Sequence, residues 1–130
     1  MSSEHAEQSS LITICRQWEG EYPDLALLHA IPLGGLRHKA VAAKLKAEGA
    51  KAGVPDLFLA VPRGAWAGLY LEMKWDRNTP TEKQQWWILQ LRAQGYRVEV
   101  CYSCCEAGKV IMDYLRIDDY RMRRALCPQV

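Results

Sequence analysis

The sequence predicts an α/β fold, a mixed β-sheet flanked by helices. Three observations carry that prediction. Short runs such as "GLYLEMKW" and "YRVEVCY" alternate apolar and polar residues with the period of a strand. They are interspersed with longer stretches of helical spacing, such as "EHAEQSSLITICRQWE". Glycines, prolines and capping residues punctuate the boundaries. The order read from these signals is helix, possible strand, helix, strand, strand, helix, strand, helix, which is the order of a sheet with helices packed on it. With 130 residues, 49% hydrophobic and 25% charged, the chain is globular and the size of one ordinary domain. We expect a single domain over 1–130, with a core over about 4–116 and a basic tail over 117–130.

Residues 4–19 form the first predicted helix. Leu11, Ile12, Cys15 and Trp18 share a face, and Ser2 or Ser3 can cap its start. "GEYPD" breaks it. Residues 25–31, "LALLHAI", are an apolar run without a period, so a buried strand and a helical turn both remain open. "IPLGG" is a turn, and residues 36–48 are a helix stopped by Gly49. After the loop "KAGVPD", residues 57–61 read as a strand, "PRGAWAG" as a hairpin-like connection, and 68–75 as the next strand. Thr81 and Gln84 make a capping-box pattern for a helix over 82–94, which Gly95 ends. Residues 96–102 are a strand. Residues 104–116 are a helix with Val110, Ile111, Tyr114 and Leu115 inward, and "RIDDYRMRRALCPQV" is a basic tail that can hold a last turn of helix.

Net charge is only +2, which excludes a polybasic protein but not a local basic patch. No run approaches the roughly 18 apolar residues of a membrane span. The polar start "MSSEHAEQSS" has no leader pattern, so a cytoplasmic location is expected, with no membrane partner. In that compartment the five cysteines are expected as reduced thiols. "CYSCC" holds one C-x-x-C pair, Cys101 and Cys104, but no further ligands for zinc, so these residues read as small apolar fillers at a strand end.

The strand 68–75 poses the chemical question. Leu69, Leu71 and Met73 alternate with Tyr70, Glu72 and Lys74, so Glu72 and Lys74 share a face. On a solvated face they would be a weak surface pair. Asp56 changes the reading. If 56–61 and 69–75 pair antiparallel, a connection of about seven residues returns the chain beside itself and brings Asp56 near Glu72. Two carboxylates at one point repel and gain from a cation between them. Oxygen ligands suit Mg²⁺ or Mn²⁺, and Lys74 would add positive charge for a phosphate or a developing hydroxide. In outline this is a site for metal-assisted phosphodiester hydrolysis.

Pro55-Asp56, a gap of fifteen residues, then Glu72-Met73-Lys74 resembles the PD-(D/E)xK nuclease superfamily. The wider sequence resembles the virus-type replication-repair nuclease (VRR-NUC) family in its stand-alone phage or bacterial form. The resemblance runs from "EHAEQ" to "DYL" and rests on E-x-x-x-Q, G-V-P-D, E-x-K and a helical Gln followed by G-Y, in that order. It implies a restriction-endonuclease-like core. It implies Asp56 and Glu72 as metal ligands, with the main-chain carbonyl of Met73, and Lys74 as the residue that positions the attacking water. Counting back from Gly95-Tyr96 puts the family's site glutamine at Gln84. The first-helix acid, which binds metal directly or through water, falls on Glu4, with Gln8 one turn on; Glu7 is the near rival. The family commonly has Asn where this chain has Leu33, a departure that bears on the substrate groove.

The resemblance implies a Mg²⁺- or Mn²⁺-dependent endonuclease acting as a homodimer on branched DNA such as four-way junctions, in a bacterial host cell if phage-encoded. A flap- or nick-directed nuclease and a DNA-binding module without cleavage are the alternatives. The densest positive charge, Arg37, His38, Lys39, Lys44, Lys46 and Lys51, would track phosphates. His29 reads as a core residue. Trp86 and Trp87 are adjacent and cannot both face the core, so one covers a partner subunit or stays half exposed. "RMRR", Arg121 to Arg124, is either a second nucleic-acid contact or a soluble tail.

Overall fold

In a computed structural model, residues 3–32 and 39–129 are described. The elements are α1 (Glu4–Trp18), a 3₁₀ turn (Pro23–Leu27), β1 (Leu28–Ala30), α2 (Lys39–Ala47), β2 (Leu57–Leu59), β3 (Leu69–Met73), α3 (Glu82–Ala93), β4 (Arg97–Cys101), α4 (Cys104–Leu115) and α5 (Tyr120–Leu126). The sheet order is β1-β2-β3-β4. The first two pairings are antiparallel and β3–β4 is parallel, with α3 as the crossover. The fold is therefore the predicted mixed sheet with helices. The ambiguous run 25–31 is both alternatives in turn, a 3₁₀ turn that hands over to a three-residue strand.

Alternation in β3 divides the interior. Leu69, Leu71 and Met73 point into the main core with Leu57 and Leu59 of β2, beneath α1, α4 and α5. Tyr70 faces the other way, where Ile88 and Leu91 of α3 cover Val98. Ser3 caps α1, accepting a hydrogen bond from the Ala6 N–H. Arg63 and Trp66 bridge in the β2–β3 connection, which is the hairpin-like turn expected there.

Three expectations need correction. His29 is exposed, because it lies on β1, a short strand at the edge of the sheet; its ring meets Phe58 edge-on. Cys105 and Cys127 form a disulfide, whereas Cys15, Cys101 and Cys104 are free and buried. The tail is not a loose turn. It folds back as α5, burying Met122 and Leu126, and this return brings the two cysteines together. Arg121 pairs with Glu21 and Asp119 and lies over the Trp18 ring, so it fastens α5 to the first helix. Arg123 pairs with Asp118.

Closing a loop of 22 residues of separation stabilises the folded chain by about 3 kcal/mol through the unfolded state. A Cys105→Ser/Cys127→Ser double variant is therefore expected to lose about that much in a denaturant titration. The same loss should appear when the wild type is reduced, and the variant should not respond to reductant.

Candidate active site

The site forms where β2 begins and β3 ends. Leu57 pairs with Leu71, so the same antiparallel register sets Asp56 opposite Glu72. Directly opposed residues of antiparallel strands share a face. Asp56 also ends the β2–β3 ladder, because its Oδ2 accepts the Met73 N–H at 2.7 Å. The strand goes on along β4 instead, with the Lys74 N–H donated to the Cys101 carbonyl at 2.9 Å. The Met73 carbonyl belongs to the same trans peptide as that N–H and points the opposite way, toward the side of β2 and Asp56.

Glu72 and Lys74 are not a surface pair. Glu72 is 1% exposed and Lys74 8%. Lys74 Nζ stands 3.7 Å from Glu72 Oε2. That same oxygen accepts a hydrogen bond from Gln84 Nε2 at 3.0 Å. Gln84 reaches it from the first turn of α3, where its Oε1 also accepts the Thr81 N–H, completing the capping box with Thr81 Oγ1. One glutamine thus fixes the helix start and holds the buried acid.

The carboxylates crowd one another. Burial, and then the charge of Asp56, push the Glu72 carboxyl up to about 8. Burial also raises Asp56, against the opposing pull of the Met73 N–H. A contact between the two carboxyls favours the proton on Glu72 and the charge on Asp56. Glu4, at the start of α1, is raised by burial and next by Asp56, and it acts on Glu72 in turn. Glu72 Oε1 is buried without a hydrogen-bond partner. A buried carboxyl oxygen without a partner, set against a second acid with a single lysine beside it, is short of positive charge.

Of the predicted site residues, the structure brings together Asp56, Glu72, Met73, Lys74 and Gln84, and Glu4 lies near enough for its charge to act on Glu72. Glu7, the rival first-helix acid, is turned elsewhere and accepts the Cys104 N–H at 2.9 Å. Gln8 is half-buried. Arg37, His38 and the turn with Leu33 lie outside the described residues. Lys39, Lys44, Lys46 and Lys51 are exposed on and just after α2, which buries none of its own residues. Trp86 is 56% exposed, while Trp87 is half-buried against the smaller core. Sequence reasoning left out Lys83. It lies far along the chain from the α2 lysines, and only the contact between Gly53 and α3 places it near them. Gly53 has φ +96°, and a Cβ there would sit 2.9 Å from the Lys83 backbone.

No helix among the described residues is long and apolar enough to cross a membrane. No curated protein sequence matches the chain. Among solved structures, a protein described as a VRR_NUC domain protein is 29% identical, with a TM-score of 0.68 over 87% of this chain and 90% of its own. The VRR-NUC domain profile matches residues 4–104, which contain every residue of the site just described. The chain belongs to the VRR-NUC domain family and is a nuclease-type domain.

Proposed function

We propose that the protein is a Mg²⁺- or Mn²⁺-dependent endonuclease that cuts branched DNA. The observation that carries this reading is the buried Glu72, with one oxygen unpartnered, set opposite Asp56 and beside Lys74. Among the described residues no three His, Cys, Asp or Glu side chains form a ready-made metal cage. An ion such as Mg²⁺ does not need one, since it takes one or two carboxylates and completes its shell with water and substrate phosphate. Asp56, Glu72 and the Met73 carbonyl would hold it, with Glu4 reaching it directly or through water. Bound there, the ion supplies charge to polarise a phosphodiester and to acidify water.

The protein's own groups do the rest. Lys74, held in a nearly dry position, directs its ammonium at the attacking water or at a phosphate oxygen as charge develops. Gln84 keeps Glu72 in one rotamer by its hydrogen bond. Glu4 contributes negative charge from α1 and thereby couples that helix to the site. The buried strand ends keep these groups from rearranging as the substrate binds.

One such site cuts one strand, and a symmetric four-way junction needs two cuts, so the reading extends to a homodimer. Leu89, 63% exposed on α3, is apolar surface available for that contact. The substrate is tested with end-labelled four-way junction, flap and linear duplex in Mg²⁺. Paired, symmetry-related nicks in the junction are expected, with little cutting of linear duplex. Cleavage of the flap alone would keep the chemistry and discard the junction assignment. Binding without cleavage on every substrate would leave a DNA-binding module.

A further inference from the structure

A groove of about 470 Å³ runs beside the site, between the end of α2 and the start of α3. Its polar lining is Lys46, Lys51 and Lys83, and its apolar walls are Trp86, Trp87 and two alanines. The lining contains no acid. All three lysines are exposed, and none makes an ion pair among the described residues. Trp86 shows more than half of its surface, and its ring meets Trp87 edge-on.

The groove and the catalytic residues are neighbours along the chain at two points. Lys83 precedes Gln84, which holds Glu72. Gly53, which touches the Lys83 backbone, is three residues before Asp56.

We propose that this groove binds an unpaired DNA nucleotide, with the base stacked on Trp86 and its flanking phosphates on Lys46, Lys51 and Lys83. The inference rests on the nuclease reading for the identity of the ligand, and it adds the substrate feature that the site selects: unpaired nucleotides next to the cut. Aromatic faces beside a lysine-lined track are the chemistry that holds single strands, since every base has a face to stack and every link a phosphate. A second copy of the chain is the less favoured occupant. A two-fold interface centred on this groove would set lysines against lysines with no acid to receive them. Trp86 is therefore assigned to DNA rather than to a subunit contact, one of the two alternatives the sequence leaves open for the Trp86–Trp87 pair.

The test is titration of the full-length protein with a short oligothymidine and a matched blunt duplex, in EDTA so that no cleavage occurs. Intrinsic tryptophan fluorescence and the anisotropy of labelled DNA are read together. The single strand is expected to quench the wild type. Trp86→Ala should weaken single-strand binding roughly five- to hundredfold and remove most of the quench, while binding of the duplex changes little. Trp86→Phe should recover much of the affinity, and Lys83→Gln should lower it with a shallower salt dependence. Unchanged single-strand affinity in Trp86→Ala would overturn the proposal. So would an equal loss for single strand and duplex, or a shift from dimer to monomer in sedimentation with single-strand binding intact. These readouts do not use cleavage. A wild type that binds single strands through Trp86 but never cuts would retain the groove and refute the nuclease reading.

Discussion

Lys74→Ala is expected to lower DNA cleavage by roughly a hundred- to a thousandfold, the loss seen when one positioned charge-stabilising donor is removed from a reaction centre. DNA binding should stay close to wild type, because the exposed lysines of α2 and of the groove are untouched. Single-turnover cleavage and equilibrium binding, measured on the same substrate, separate the two. The fold should survive. Lys74 leaves behind a carboxylate that already tends to hold a proton, so no unpaired buried charge has to persist. A variant that neither binds nor folds would make Lys74 a structural residue. A variant that folds, binds and cuts as wild type would remove it from the site.

Glu72 gives the second large effect, in stability and in opposite directions with and without metal. Its folded-state carboxyl titrates near 8, against an ordinary value of 4.5. Between those two values the folded chain binds more protons than the unfolded one. Stability of the metal-free protein must then fall as pH rises from about 4.5 to about 8. The loss is on the order of a few kcal/mol, and Asp56, also raised, adds to it in the same sense. Glu72→Gln resembles the protonated form and should flatten most of this decline. At pH 9 it should be more stable than the metal-free wild type, yet inactive. Mg²⁺ should restore the wild type at high pH and do little for the variant, since a cation takes the place of the proton. Denaturant titrations across that range, with Mg²⁺ and with EDTA, read all four cases. A wild-type profile that is flat in EDTA would show that the two acids are not crowded.

Much of the site was legible because β-strands carry a strict period. Leu69, Leu71 and Met73 alternate with Glu72 and Lys74, so the sequence alone put the acid and the lysine on one face. The short β2–β3 connection did the same for Asp56. Gln84 was legible from its capping box with Thr81, a local signal that needs no tertiary information. What sequence could not report depends on contacts between distant elements. That Glu72 is buried depends on β3 lying between β2 and β4, with Gln84 reaching it from α3. The choice of Glu4 over Glu7 turns on which way α1 rotates against α4, where Glu7 meets the Cys104 N–H. The Cys105–Cys127 bond exists because α5 folds back on α4, and nothing in the tail's basic composition announces that return. His29 was misread because an apolar run does not reveal that its strand is an edge. Lys83 joins Lys46 and Lys51 only through the Gly53 contact.

The most direct measurement is strand cleavage of a labelled four-way junction by wild type and Asp56→Ala, each in Mg²⁺, in Mn²⁺ and in EDTA. Asp56 is the residue whose register and hydrogen bond to Met73 define the site. Cutting by the wild type in either metal, none in EDTA, and none by the variant in any condition is the expected result. Cleavage that persists in EDTA, or in Asp56→Ala, would contradict a metal-dependent centre built on Asp56 and Glu72.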